Sequence, residues 1–245
     1  MVMQNHQADR KIPYILIFRS AIFFTLQDPF INNLMNALHI FACSYGKFGT
    51  VHGPEAHEFR DAGSWSNILA RRLRRKLINH SQPGSSNFVI FQNILNTLSS
   101  IDSDDLVIVN WSHINRAWLY RDQTLMPSAH VPNSRFVQDY YQYCYSDVQA
   151  AANLITFNYY VRQHMLCPCL WSTADSAHLI ESQHSQFTVL DDPYFVHDSG
   201  ITPVDYVRNQ DVSHGLTFSC SHPSAKGHEF IADCFYSKIQ SMGYI

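Results

Sequence analysis

Two residues far apart in the chain, Ser44 and His222, have the types and settings of a nucleophile and its base. Ser44 follows an apolar run that ends at Ala42, and His222 comes directly before Pro223 and the last amphipathic segment. A serine hydroxyl attacks a carbonyl carbon only when a base takes its proton, and imidazole is the base whose pKa suits neutral pH. If the fold brings the two side chains together, the pair predicts acyl transfer through a serine.

Two further segments carry groups that could stabilise the negative charge of such a reaction. Gly84 lies in the turn-rich stretch 79–87, and a glycine lets a backbone N–H approach a substrate closely. The segment Asn110-Trp-Ser112 follows a strongly apolar stretch and offers an amide and a hydroxyl. We therefore predict that the N–H of Gly84 and a side-chain donor on Asn110 or Ser112 can face a developing oxyanion.

These residues need a scaffold, and the hydrophobic pattern predicts one. Continuous apolar strands that alternate with helices indicate a parallel sheet covered on both faces, in which ligands bind beyond the carboxyl ends of the strands. The fold class predicted is α/β, a single three-layer α/β/α sandwich with a central parallel, flavodoxin-like sheet. Strands are predicted at 38–42, 104–110 and 167–172, with a weak one at 187–190. Helices are predicted from the N-cap Ser64 through Leu77, through 90–98, within 134–165, and after His222.

The sequence also bears on domains and location. Residues 1–34 are predicted to be an extension outside the fold, with one domain over 35–245, because a clean strand begins shortly after Met35. The apolar run 14–26 contains Arg19 and is too short to span a bilayer. With Asp9 near its start and no clear cleavage site after it, this run is a poor signal peptide. We expect a cytoplasmic protein, and the sequence leaves secretion or association with a virus particle open.

Composition excludes several classes of partner. The formal net charge of -3 argues against nucleic acid, whose binding proteins usually carry a basic excess. The basic cluster at 71–76 is interpreted as a solvated helix face. The six cysteines form no dense disulfide framework, and Cys167-Pro-Cys169 lacks the spacing of a zinc knuckle. We expect free thiols and no metal site.

Four segments together resemble the successive blocks of the SGNH (GDSL-type) hydrolases, in the same order, from about residue 36 to the C-terminus. They are Ala42-Cys-Ser-Tyr-Gly, Gly84-Ser-Ser-Asn, Val107-Ile-Val-Asn-Trp-Ser and His222-Pro-Ser-Ala-Lys-Gly-His. The resemblance implies that Ser44 is the nucleophile and that His222 is the general base. It also implies that the N–H of Ser44, Gly84 and the third block form the oxyanion hole. It also implies that no cofactor is needed and that the substrate is a small-molecule or carbohydrate ester.

The chain departs from the family pattern at three places. Ala42 replaces the usual glycine of the first block, and Ser112 stands where the oxyanion asparagine is expected. The aspartate that usually precedes the histidine by three residues is replaced by Ser219. Either a backbone carbonyl orients His222, which leaves a Ser-His dyad, or another acid serves. Asp211 is the nearest upstream candidate for that acid, with Asp205 behind it.

Three functions are compatible with these features. The first is a serine esterase acting on an O-acetylated carbohydrate or a short acyl ester. Four aromatic residues slightly favour a sugar ester if they lie in loops rather than in the core: Tyr45, Trp111, Trp118 and Tyr120. The second is a catalytically impaired member of the fold that serves as a binding or structural module. A flavodoxin-like nucleotide binder is a weaker third, because the first loop has neither G-x-G-x-x-G nor a Walker lysine.

Overall fold

The protein contains a parallel β-sheet at its centre. The computed structural model describes residues 36–46, 63–116, 118–121, 124–127, 146–183, 188–210, 212–217 and 222–245. Four strands pair in the order β2-β1-β3-β6, all parallel, and β4 and β5 form a separate antiparallel hairpin. The strands are β1 (Ala37–Ala42), β2 (Lys76–Asn79), β3 (Leu106–Trp111), β4 (Trp118–Arg121), β5 (Thr124–Pro127) and β6 (Cys169–Thr173). The predicted parallel sheet is confirmed.

Helices cover both faces of this sheet, as the three-layer prediction requires. On one face the core is shared with α1, α5 and α6, and on the other with α2, α3 and α4. The helices are α1 (Trp65–Leu73), α2 (Asn87–Thr97), α3 (Asp147–His164), α4 (Ala177–Gln183), α5 (Pro203–Arg208) and α6 (Ala225–Ser241). Within the described residues, no helix is long and apolar enough to span a membrane.

The burial of both faces explains why β1 and β3 are apolar at nearly every position. Side chains alternate between the two faces of a strand. Leu38, Ile40 and Ile108 therefore enter the core shared with α1 and α6. Phe41 and Val109 enter the core shared with α2 and α3.

Helix α1 begins as predicted but ends earlier. The Ser64 Oγ accepts a hydrogen bond from the N–H of Asn67 at 3.4 Å, which confirms Ser64 as the N-cap. The prediction that the helix extends to Leu77 is wrong. Arg74 adopts a left-handed conformation with φ 53°, which ends the helix, and Leu77 belongs to the edge strand β2, paired with Leu38.

The edge of the sheet beyond β6 also differs from the prediction. Residues 188–190 form a turn rather than the weak strand expected at 187–190, and residue 187 lies outside the described residues. Where a fifth strand would pair with β6, the structure has a parallel bridge between Trp171 and Phe195. The N–H of Val196 donates to the Trp171 carbonyl at 2.9 Å. Residues 1–35 also lie outside the described part, so the domain boundary stays a prediction.

Two arginines of the basic cluster have structural partners. Arg72 pairs with Asp233 of α6, and Arg75 donates to the carbonyl oxygens of Ala37 and Asp104 at the amino end of the sheet. The four cysteines in the described part of the chain are free thiols. Nowhere in that part do three or more histidine, cysteine or acidic side chains converge as metal ligands would.

Candidate active site

The carboxyl edge of the sheet brings the first and last predicted segments together. β1 ends at Ala42, and Ser44 opens the short 3-10 turn Ser44–Gly46 directly after it. The Nε2 atom of His222 lies 3.3 Å from the Ser44 Oγ, although 178 positions separate the two residues in the chain. Ser44 is buried and His222 is half-buried. The predicted nucleophile and base are therefore neighbours within hydrogen-bond distance.

The ring of His222 is held from one side by Tyr45. The two rings stack with their centroids 5.3 Å apart and their planes at 25°. Tyr45 is itself fixed, since its carbonyl accepts a hydrogen bond from the Trp65 Nε1 at 2.7 Å. Tyr45, which follows Ser44, therefore supports the His222 ring by stacking against it.

The backbone of His222 is held by the segment 216–217. The Thr217 hydroxyl donates to the His222 carbonyl at 3.0 Å, and the N–H of Ser224 donates to the Leu216 carbonyl at 2.9 Å. Pro223 forms a bridge with Thr217 and lies before the N-cap Ser224, not within the first helical turn. These contacts fix the ring at the entrance of α6.

The second histidine of the His-Pro segment, His228, is a buried neutral residue. Its Nδ1 accepts a hydrogen bond from the Trp65 N–H at 3.2 Å, so the ring carries its proton on Nε2. Burial, reinforced by the nearby His222, lowers the pKa of His228 from 6.5 to about 3. His228 joins the start of α1 to α6.

This burial predicts acid lability. The folded protein leaves His228 neutral while the unfolded chain protonates it below about pH 6.5, so the free energy of unfolding falls as the pH falls towards 3. At pH 5 the loss from His228 is about 2 kcal/mol. Urea unfolding at pH 7.5 and pH 5.0 measures it. The wild type should lose about 2 kcal/mol more than His228→Asn.

The matched control for this experiment is His214→Asn, because His214 is exposed. This variant should keep the wild-type pH dependence. Burial, together with the nearby His39, also lowers the pKa of His80 to about 4. The resulting loss of stability at low pH is the same in all three proteins and cancels in the comparison. Equal losses in the wild type and His228→Asn would show that His228 is not the buried neutral group.

The second predicted segment forms a tight turn beside β1. Gly84 has φ +77°, a conformation that favours glycine, and the N–H of Gln82 donates to the Ala42 carbonyl at 3.1 Å. The loop after β2 is thereby attached to the strand that precedes Ser44. Three side-chain oxygens after Gly84 are buried without a hydrogen-bond partner in the described part of the chain: Ser85 Oγ, Ser86 Oγ and Asn87 Oδ1.

The third segment, 107–112, has one candidate donor within β3 and the other just after it. Asn110 lies within β3, opposite Ala42 of β1, and both polar atoms of its buried amide lack a partner among the described residues. Ser112 follows the strand and is fully buried. Its Oγ accepts a hydrogen bond from the Arg116 Nη1 at 3.3 Å.

Solved structures share this architecture at low sequence identity. TesA aligns with a TM-score of 0.53 over 84% of this chain and 99% of its own, at 12% identity. The psychrotrophic esterase EstA from Pseudoalteromonas sp., solved with monoethylphosphonate as inhibitor, gives 0.52 over 84% and 98%, at 12% identity. A protein of the G-D-S-L family from Desulfitobacterium hafniense gives 0.48 over 83% and 99%, at 10% identity. The chain has the SGNH-hydrolase fold. No protein-family model and no curated protein sequence matches it.

Within this SGNH fold, a group of polar side chains next to Tyr45 was not expected from the sequence. The His113 Nδ1 lies 2.7 Å from the Asp175 Oδ1, and the Arg208 Nη1 lies 3.0 and 3.1 Å from the two ring nitrogens of His113. His113 meets the edge of Tyr45 at a centroid distance of 6.0 Å. These residues come from three distant parts of the chain, and no spacing in the sequence connects them.

The aromatic residues that favoured a sugar ester have other positions in the SGNH fold. Tyr45 is buried against His222, and Trp111 is fully buried with its Nε1 donating to Asn158 at 3.2 Å. Both are therefore core residues. The side chains of Trp118 and Tyr120 lie outside the described residues.

The predicted acid of a triad has two candidates, Asp211 and Asp205. Asp211 and Ser219 lie outside the described residues, so the assignment of Asp211 stays a prediction. Asp205, the candidate behind it, accepts a hydrogen bond from the Asn209 Nδ2 at 2.8 Å on α5. Burial raises the pKa of Asp205.

Proposed function

We propose that the protein is a serine esterase that hydrolyses a carboxylic ester through an acyl-enzyme on Ser44. The observation that carries the proposal is the distance of 3.3 Å between the His222 Nε2 and the Ser44 Oγ at the carboxyl edge of the sheet. A buried serine beside an imidazole that is braced on one side by Tyr45 is suited to nucleophilic attack. The SGNH fold shared with the esterase EstA supports the same reaction class.

In the proposed reaction Ser44 attacks the ester carbonyl while His222 takes its proton. The N–H groups of Ser44 and Gly84, with a side-chain donor on Asn110 or Ser112, stabilise the oxyanion that forms. Collapse of the tetrahedral intermediate expels the alcohol, which receives the proton from His222. Water activated by His222 then releases the acid and restores Ser44.

The proposed substrate is an O-acetylated carbohydrate or another short acyl ester. Ser44, Tyr45 and Gly46 are all buried, and a Cβ on Gly46 would lie 2.3 Å from the Ser81 Oγ. The small exposed area of Ser44 favours a small acyl group. No cofactor takes part in the proposed reaction, and Asp211 or a backbone carbonyl orients His222.

A fluorophosphonate probe tests this proposal without a guess about the substrate. The probe reacts with a serine that its surroundings have made nucleophilic, so the wild type should be labelled and Ser44→Ala should not. Ser172→Ala is the matched control, because Ser172 is also a buried serine but lies in β6, where its hydroxyl donates to the Val196 carbonyl. Labelling of this variant should match the wild type.

Folded wild-type protein that remains unlabelled would contradict the proposal. That result would favour a catalytically impaired binding or structural module, in which the Ser-His pair is retained only as architecture. Labelling that persists in Ser44→Ala would show that another serine is the nucleophile.

A further inference from the structure

Ser112 and Ser44 lie just beyond the carboxyl ends of two neighbouring strands, β3 and β1. In the parallel register, Ala42 of β1 lies opposite Asn110 of β3, and each serine comes two residues later. On the other side of β3, the pairing with β6 continues to the end of the strand, since the N–H of Ala174 donates to the Trp111 carbonyl at 2.8 Å. Adjacent strands lie about 4.8 Å apart. Both serines therefore follow paired residues at the same edge of the sheet, where the next residues, Tyr45 and His113, meet at a ring-centroid distance of 6.0 Å. Asn110 lies within β3.

The hydrogen bonding of Ser112 leaves its proton available. The fully buried Ser112 Oγ accepts from the Arg116 Nη1 at 3.3 Å and donates to no acceptor in the described part of the chain. A hydroxyl can accept and donate at once. A cationic donor polarises the hydroxyl that accepts from it and strengthens the hydrogen bond that this hydroxyl donates.

Arg116 has no other electrostatic role in the described structure. None of the described carboxylates lies within ion-pair distance of it, in contrast to Arg72 and Arg162, which pair with Asp233 and Asp192. Arg116 is half-buried, and the one hydrogen bond of its side chain to a described residue goes to Ser112. A guanidinium held beside a buried hydroxyl acts mainly on that hydroxyl.

We propose that Ser112 and Arg116 form one charge-assisted donor that stabilises the oxyanion. The inference rests on the proposed esterase function and deepens it. When the Ser44 Oγ–carbon bond forms, the carbonyl π electrons move to oxygen, and the Ser112 O–H donates a hydrogen bond to that oxygen. No proton is transferred in this contact, because the proton of Ser44 goes to His222. Ser112 touches the substrate, and Arg116 is a positioning residue that acts through it.

The test is a double-mutant cycle with 4-nitrophenyl acetate. Ser112→Ala should lower kcat by about 10²-fold to 10³-fold and change KM little, because the contact forms mainly in the transition state. Arg116→Met should lower kcat by about tenfold, the effect of one lost charge-assisted bond. Ser112→Asn supplies an amide donor that needs no polarisation, so it should retain kcat within about tenfold.

The decisive comparison is Arg116→Met in the Ser112→Asn background, where it should change kcat less than about twofold. An equal loss in both backgrounds, or a loss seen in KM alone, would overturn the proposal and assign Arg116 to direct binding of an anionic substrate. Unchanged kcat in Ser112→Ala would also overturn it. Each result requires a wild type labelled by the fluorophosphonate probe, so failure of the esterase function itself is recognised separately.

Discussion

His222→Ala should lower kcat for 4-nitrophenyl acetate by about 10⁴-fold to 10⁶-fold while the protein remains folded. Without the imidazole, nothing takes the proton from the Ser44 Oγ, which lies 3.3 Å from the His222 Nε2 in the native protein. Any remaining activity comes from substrate binding and the oxyanion donors. Steady-state kinetics and circular dichroism of the purified variant measure both parts of the prediction.

His222 also has a packing role, because its ring stacks on Tyr45. His222→Phe separates the two roles, since phenylalanine keeps an aromatic ring of similar size but has no basic nitrogen. It should be as inactive as His222→Ala and more stable. The exposed His214 provides the control variant His214→Ala, which should keep full activity. More than a tenth of wild-type kcat in His222→Phe would falsify the role of general base.

Gly227→Ala should destabilise the protein by about 3 kcal/mol, although alanine normally stabilises a helix relative to glycine by about 1 kcal/mol. The Cβ added at this position would lie 2.1 Å from the Leu216 carbonyl oxygen and 2.9 Å from the Val207 Cγ1. The Leu216 carbonyl accepts the N–H of Ser224, and the same segment holds His222 through Thr217. The segment must move, and His222 moves with it.

The activity of Gly227→Ala should fall further than its folded fraction. A displacement of the base by about 1 Å costs about 10²-fold in rate. Thermal unfolding and kcat, measured below the melting temperature, give the two effects. Gly63→Ala is the matched control, because no atom of the described residues lies within 4 Å of a Cβ at that position. A Gly227→Ala protein as stable as Gly63→Ala would show that α6 can shift without cost.

Several parts of the fold are predictable because they depend on local chemistry. The apolar runs at β1 and β3 are buried on both faces, and Ser64 caps α1 with its own hydroxyl. Strand β2 was missed for a physical reason. It has four residues at the sheet edge, none of them fully buried, and Leu77 continues the helical spacing of α1. The left-handed backbone of Arg74 ends α1, and β2 begins two residues later at Lys76.

The candidate site also has parts that local sequence predicts and parts that it does not. The sequence determined by itself which residues could act as nucleophile and base, because Ser44 and His222 each stand at the end or beginning of an element that local patterns define. It also determined that Gly84 lies in a turn, where φ is +77°. These features depend on neighbours in the chain, so residue types and spacing are sufficient.

Only the tertiary structure decided which side chains meet. The pairing of Ala42 with Asn110 brings the segments that carry Ser44 and Ser112 to the same edge of the sheet, and the packing of α6 against Leu216 sets the position of His222. The contacts of Arg116 with Ser112 and of His113 with Asp175 likewise depend on where loops and strand ends lie in space. Register and packing are determined by contacts between residues far apart in the chain, and for that reason no local pattern in the sequence encodes them.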